Sequence, residues 1–313
     1  MQLGFIGTGT MGTPIAGCLI DAGHSLAVYD IRSEATQVLA GRGVNAVGSP
    51  REVAERSEVV FTSLPGPDEM QRAVLDSETG VLAGLRQGGC YIDLTTNAPP
   101  VAREVAGACR AKGVDMLDAP VSGRPPGMTV MVGGDEAVFA RSRPLFEAIA
   151  RNVFYVGAAG AGCIAKLVTQ YLGYTNFVAA LEGLLIGAKA GVDPGILAQI
   201  VPFSAGASRT FDNIPRSVLS GAFTAGGTLD IVAKDLHLAC GLAREVAAPA
   251  NLGLLAHDVL HRAQDQGWGK DGFPIAARIL EAMAGHELRS EIGQHAANYQ
   301  IADPRRAPNE SRD

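Results

Sequence analysis

Gly7-Thr8-Gly9-Thr10-Met11-Gly12 lies between a short apolar run, Gln2–Ile6, and a helical pattern over Thr13–Ala22. No other feature constrains the chain as strongly. A G-x-G-x-x-G turn that leaves a strand and opens a helix is the phosphate-binding turn of a dinucleotide fold. Gly7 permits the tight turn, Gly9 lets backbone approach a pyrophosphate, and Gly12 lets helix and strand pack closely. The N–H groups and partial positive charge of the helix N-terminus suit an anion. Thr8, Thr10 and Met11 fill the turn and are read with the glycines as cofactor contacts. Asp30 stands at the end of the next strand pattern, Ser25–Tyr29, about 20 residues beyond the glycines, where a carboxylate bonds a ribose 2′-hydroxyl. That carboxylate repels a 2′-phosphate, so NAD is favoured as cofactor. Arg32 leaves NADP open: it either reaches a 2′-phosphate or stands as a solvated charge at a helix start.

At 313 residues the chain has room for about two domains. Strand patterns at Glu58–Ser63, Cys90–Leu94 and Val114–Ala119 alternate with helical ones at Glu34–Ala40, Pro50–Ser57, Pro67–Leu75, Val81–Gln87 and Pro99–Lys112. Thr129–Gly133 and Val153–Val156 add strands around a helix at Glu136–Ala150. This alternation predicts βαβ units and a mainly parallel sheet. Beyond the Gly157–Gly162 linker the pattern is helical only, at Ile164–Ala190, Gly195–Pro202, Thr228–Glu245, Ala250–Gln266 and Phe273–Ala284. The expected organisation is α/β: a Rossmann-type parallel-sheet domain over 1–159, an all-α domain over 160–301, and a disordered tail over 302–313 rich in Pro, Arg, Asn and Ser.

The net charge of −6 excludes the basic footprint of a nucleic-acid binder. The five cysteines are odd in number and form no C-x-x-C, which argues against a disulfide framework or zinc site and for a reducing cytoplasm. Among the six histidines only His257 and His261 share an i,i+4 spacing; they read as helix surface, and no metal is expected. The N-terminus lacks the basic region and apolar run of a signal peptide. Leu167–Ile186 carries Gln170, Asn176 and Glu182 and reads as a buried helix rather than a membrane span.

Several further residues stand where chemistry is possible. Leu64-Pro65 follows one strand and Asp93-Leu-Thr95-Thr96 another, at the edge where such sheets bind ligands. Leu64 and Pro65 are read as contacts to the adenosine or ribose side. The two threonines are read as lining the nicotinamide end, although an N-cap before the Pro99 helix explains them equally well. Ser122-Gly123, after Asp118-Ala-Pro-Val, offers a hydroxyl and open N–H groups suited to a carboxylate, or is an ordinary turn. Lys166 opens a largely apolar helix at the domain junction. A lysine in such a place is either functional or snorkels to the surface. Lys234-Asp235 interrupts the apolar run LDIVAKDLHLA and by itself reads as a local surface pair of little energetic weight.

Taken together, GFIGTGTMGTPIAGCLIDAGH at 4–24, DLTT at 93–96, DAPVSG at 118–123, MVGG at 131–134, GAGCIAKLV at 160–168 and KDLHLA at 234–239 resemble the β-hydroxyacid dehydrogenase family over roughly residues 1–290. The resemblance implies an NAD- or NADP-dependent oxidoreductase that transfers a hydride to or from a small β-hydroxyacid. It implies a homodimer or homotetramer formed through the helical domain. Residue by residue, Lys166 matches the catalytic lysine, and Ser122 and Gly123 the substrate-carboxylate site. Thr96 matches a residue near substrate and nicotinamide, and Lys234 a lysine at the nicotinamide end, with Asp235 its neighbour. Burial and a cation such as Lys234 would bring a lysine into the range of a working base.

Three departures from the family pattern fall at the expected substrate pocket. The usual longer Gly-rich segment is shortened to Arg124-Pro-Pro-Gly-Met128, Gln170 replaces an Asn, and Gly227 replaces an aromatic. Lost bulk, a longer amide and an added guanidinium predict a substrate larger or more acidic than 3-hydroxyisobutyrate. Two rival readings remain. An imine reductase on the same fold is disfavoured because those relatives usually replace the lysine. A non-catalytic NAD-binding protein is disfavoured because both substrate and catalytic positions carry competent residues.

Overall fold

The structure is a computed structural model that describes residues 1–224 and 226–291. Its elements run β1 (Gln2–Ile6), α1 (Gly12–Asp21), β2 (Ser25–Tyr29), α2 (Ser33–Ala40), β3 (Asn45–Ala46), α3 (Pro50–Glu55), β4 (Val59–Thr62), α4 (Pro67–Leu75), α5 (Val81–Gly84), β5 (Cys90–Asp93), α6 (Pro99–Ala111), β6 (Asp115–Asp118), β7 (Val121–Ser122), β8 (Thr129–Gly134), α7 (Glu136–Ile149) and β9 (Asn152–Gly157). There follow α8 (Ala161–Lys189), α9 (Pro194–Ile200), α10 (Leu229–Glu245), α11 (Asn251–Asp265) and α12 (Ala277–Ala284). The expected tail over 302–313 lies outside the described residues. No helix among the described residues is long and apolar enough to cross a membrane.

Two compact units part at Val168/Thr169, two turns inside α8. In the first, the strand order is β3-β2-β1-β4-β5-β6-β8-β7, with β9 paired to β8. The β1–β6 pairs are parallel. This is the 3-2-1-4-5-6 order of a doubly wound dinucleotide fold, with its switch point between β1 and β4. Antiparallel pairing enters only where β8 meets β6 and β7.

Alternation along the strands builds a core on each face of the sheet. Leu3, Phe5, Val28, Phe61 and Ile92 pack with Ile15 and Leu19 of α1 and Phe146 of α7. Ile6, Ala27, Val60 and Tyr91 pack with Val53 of α3, Met70 and Val74 of α4, and Val105 of α6. Local signals start several helices. Ser49 accepts the Glu52 N–H with Pro50 at the first helical position. Asp135 accepts from Ala137 and Val138, and Asp193 from Gly195 and Ile196. Each cap satisfies N–H groups that a helix cannot satisfy itself.

In the second unit, Phe177, Leu181 and Leu184 of α8 pack with Leu236 of α10, Leu260 of α11 and Leu280 of α12 around one core. Short turns at Val201–Phe203, Phe211–Asn213 and Pro215–Leu219, too brief to show a periodicity in sequence, link α9 to α10. The helix expected over Phe273–Ala284 is a 3-10 turn, Phe273–Ala276, running into α12. Pro274 accounts for the tighter start, since it donates no N–H to an α-helical ladder.

Candidate active site

The glycine turn sits at the switch point, between the ends of β1 and β4. Gly7 has a φ of +90°, and a Cβ there would lie 2.3 Å from the Ser63 carbonyl oxygen. A Cβ on Gly12 would lie 1.8 Å from the Gly7 oxygen. A Cβ on Gly9 would meet only the Arg32 guanidinium, at 3.7 Å. Two glycines are therefore required by the turn's own packing, while the third keeps its outer surface open. The Thr8 hydroxyl is buried and has no hydrogen-bond partner, a polar atom without a use inside the turn. An open glycine surface, a helix N-terminus and a spare hydroxyl fit a dinucleotide pyrophosphate.

Asp30 faces the same turn. Its Oδ2 accepts the Thr8 N–H at 2.9 Å and its Oδ1 the Arg32 N–H at 2.9 Å. The Arg32 Nε stands 3.7 Å from Oδ1, with the arginine side chain 69% exposed. A carboxylate has about four acceptor positions, so these bonds leave Asp30 able to accept a ribose hydroxyl.

Beneath the site lie two fully buried aspartates that the sequence shows only as members of longer motifs. Asp93 and Asp118 end adjacent parallel strands and are paired in register. Asp93 accepts from the Thr62 hydroxyl (2.8 Å), the Thr95 N–H (3.0 Å) and the Asn97 amide (3.3 Å). The Thr95 hydroxyl accepts the Leu64 N–H at 3.1 Å. Thr95 thus ties the loop after β4 to the loop after β5, while Thr96, half-buried beside it, is the more open of the two threonines. Asp118 accepts the Gly160 N–H at 2.7 Å and the Cys163 N–H at 2.9 Å. Burial pushes both carboxyls above their ordinary range, and these hydrogen bonds pull back only part of the way. A signal was present in the sequence: two strands of apolar character each end on aspartate.

Lys166 lies in the first turns of α8 and is only 6% exposed. Ser122 pairs with Thr129 across β7 and β8, half-buried. Gly123 follows with φ +83°, and a Cβ there would come no closer than 3.7 Å to its nearest neighbour, the Gly127 carbonyl oxygen, so its backbone is open to approach. Arg124 is exposed.

The second unit holds its own polar cluster. Gln170 Nε2 donates to Asp235 Oδ2 at 2.6 Å and to the Tyr174 hydroxyl at 2.5 Å. Lys234 Nζ stands 2.8 Å from Asp235 Oδ1, and Asp235 is buried. Lys234-Asp235 is therefore anchored in the interior rather than lying on the surface. The Gln170 amide nitrogen is turned to that aspartate, a bond that a sequence separation of 65 residues hides. Burial and the neighbouring Asp235 push the Tyr174 phenol well above its ordinary value. A Cβ on Gly227 would touch only Val232 Cγ2, at 3.8 Å, leaving space where an aromatic is missing. Phe223 does not fill it: its ring is taken up by the Arg278 and Arg289 guanidinium groups, each 4.9 Å from the centroid.

The first unit has the strand order and the glycine turn of an NAD(P)-binding oxidoreductase. A family model for the NAD binding domain of 6-phosphogluconate dehydrogenase matches residues 2–157. A second, for the NAD-binding of NADP-dependent 3-hydroxyisobutyrate dehydrogenase, matches residues 160–280. The 2-(hydroxymethyl)glutarate dehydrogenase of Eubacterium barkeri is 30% identical over 91% of this chain and 96% of its own. The NAD-dependent L-serine dehydrogenase of Pseudomonas aeruginosa is 33% identical over 91% and 99%. The crystal structure of 3-hydroxyisobutyrate dehydrogenase from Salmonella typhimurium superposes with a TM-score of 0.81 at 30% identity, covering 89% of this chain and 99% of that one. The chain belongs to the β-hydroxyacid dehydrogenase family, and it is an NAD(P)-dependent oxidoreductase.

Proposed function

We propose that this enzyme interconverts a β-hydroxy carboxylic acid and its oxo form, with Lys166 as proton donor and acceptor. The observation that carries the reading is a lysine buried in the first turns of α8, in the unit that also holds the glycine turn. Buried lysines are uncommon and are the kind that serve as general acids and bases, whereas surface lysines stand as solvated charges. Bound NAD(P) supplies the hydride acceptor or donor. Gly7, Thr8, Gly9, Thr10, Met11 and Gly12 cradle its phosphates, Asp30 takes the adenosine ribose, and Leu64, Pro65 and Thr96 serve the remainder of the first unit's binding surface. Ser122 Oγ and the Gly123 N–H hold the substrate carboxylate. During oxidation Lys166 takes the hydroxyl proton as the carbon gives up its hydride. During reduction its ammonium returns that proton to the developing alkoxide.

NAD is the preferred cofactor, because the Asp30 carboxylate beside the turn would repel a 2′-phosphate. Arg124 reads as the ligand for a second acidic group, given its planar fork of donors. Serine and 2-(hydroxymethyl)glutarate, in the names of two relatives, are both β-hydroxyacids, and the latter carries a second carboxylate. The space at Gly227 and the shortened Arg124–Met128 segment favour the larger kind. Gln170 is read as the substrate-side residue of the helical unit, held there by Asp235 and Tyr174. A homodimer or homotetramer through the helical unit is supported by its exposed apolar side chains, Leu172 and Ile186 on α8 and Leu252, Leu254 and Leu255 on α11, since patches of this kind mark protein contacts. Five free cysteines, four of them buried, suit a cytoplasmic setting.

Steady-state kinetics of Lys166→Ala test the reading, with a panel of β-hydroxyacids, aldehydes and cyclic imines. Turnover should vanish while NADH affinity, measured by fluorescence, stays within about twofold. A variant that keeps more than a few per cent of the wild-type rate removes Lys166 from the mechanism.

A further inference from the structure

The start of α8 has an unusual cap. Gly160 precedes the helix with φ +91° and its carbonyl accepts the Ile164 N–H, but a glycine has no side chain to offer the first-turn N–H groups. The missing acceptor comes from the sheet. Asp118, at the end of β6, reaches the Gly160 N–H with Oδ1 and the Cys163 N–H with Oδ2, across 42 and 45 residues of sequence. Space for the carboxylate is made by two glycines. A Cβ on Gly133 would lie 2.7 Å from Asp118 Oδ1 and 2.7 Å from the Gly162 nitrogen. A Cβ on Gly162 would lie 2.4 Å from both the Asp118 and the Met131 carbonyl oxygens. Sheet and helix meet there backbone to backbone, with Asp118 as the side chain that fixes them. Lys166 is one turn beyond Cys163 on the same helix face.

We propose that Asp118 is a positioning residue for the reaction, which clamps the first turn of α8 so that the Lys166 amine is held at a fixed depth against the bound substrate. The inference rests on Lys166 being the proton carrier. Asp118 touches no reacting atom. It acts through the helix, and a misplacement of about 1 Å costs on the order of 100-fold in rate.

Asp118→Asn keeps the size of the side chain but turns an NH2 against one of the two N–H groups. It should lower kcat by about 10- to 100-fold, with the substrate KM and the NADH dissociation constant each within about threefold of wild type. The second measurement is coupling. In Lys166→Ala, with activity restored by added methylamine, the Asp118→Asn change should have no further effect, because residues acting through one another are not additive. Gly133→Ala keeps the carboxylate but drives a Cβ against it and against the Gly162 nitrogen, each 2.7 Å away, and should reproduce the kcat loss; it decides the matter if Asp118→Asn does not fold. Unchanged kcat in a folded Asp118→Asn or Gly133→Ala protein, or an equal loss in the methylamine-restored background, overturns the clamp. A Lys166→Ala protein that keeps its rate refutes the lysine assignment, whereas an inactive one beside a fully active Asp118→Asn protein refutes the clamp alone.

Discussion

Replacing Asp30 with alanine probes cofactor choice and turn stability together. The side chain accepts two backbone N–H groups, from Thr8 and from Arg32, each at 2.9 Å. Arg32 is exposed, so water replaces its lost acceptor at little cost. Thr8 is buried, and its N–H is left without a partner. An unsatisfied buried donor costs about 1–3 kcal/mol, and the lost bond to the ribose adds a comparable amount. The two together are about 2–6 kcal/mol, so at about 1.4 kcal/mol per tenfold NADH affinity should fall roughly 30-fold or more. The effect on NADPH runs the other way. A carboxylate and a phosphate charge about 4 Å apart repel by roughly 4 kcal/mol per unit pair at an effective dielectric near 20. Removing that repulsion, with the Arg32 guanidinium left beside Gly9, offsets the damage to the turn. The ratio of NADPH to NADH dissociation constants should drop at least about tenfold, as read by fluorescence titration of both nucleotides. Asp30→Asn, which keeps an acceptor and loses the charge, should change that ratio with less loss of NADH affinity. An NADH constant within twofold of wild type in Asp30→Ala refutes the argument about the turn. Equal affinity of the native enzyme for both nucleotides refutes the argument about charge and makes Arg32 the phosphate ligand.

Gly12→Ala should lose cofactor binding and cost about 1–3 kcal/mol or more in urea denaturation, because the new Cβ meets backbone, not a movable side chain; a variant that binds NADH normally shows that the turn can shift. Arg124→Ala should raise KM at least about tenfold for substrates with a second carboxylate and leave monocarboxylates unchanged; an unchanged KM throughout the panel places the arginine in solvent. The buried Asp93 carboxyl is raised above its ordinary value of 3.8 mainly by desolvation. The native state therefore holds this proton when the unfolded chain has released it, and the stability linked to it is lost as pH rises from 3.8 through the raised native value. Relative to wild type, Asp93→Asn should grow more destabilised as pH is lowered from about 7 toward about 4 in urea titrations; a difference that stays constant over that range contradicts the assignment.

Most of the first unit was legible because its signals are local. The glycine turn, the apolar run Gln2–Ile6 and the helix starts at Pro50 and Glu136 each need only a few consecutive residues to be read. Backbone geometry explains why: a positive φ at Gly7 or a side chain bonding an N–H two or three residues on is decided within one turn. The candidate residues Lys166, Ser122 and Asp30 were reachable for the same reason, as motifs attached to strand ends and a helix start. What tertiary structure alone decided are contacts whose partners are far apart in sequence. The strand order places Asp93 beside Asp118, although neither position announces the other. The burial of Asp235 and its bond to Gln170 depend on how α8 and α10 lie together, which turns an apparent surface pair into an anchored one. The cap on α8 is the sharpest case, because periodicity shows that a helix begins near Gly160 but cannot show that its missing acceptor is carried by a strand 45 residues earlier. Helices and turns are chosen by short-range sterics and hydrogen bonding, whereas the carboxylate that fixes Lys166 is placed by the packing of the whole sheet.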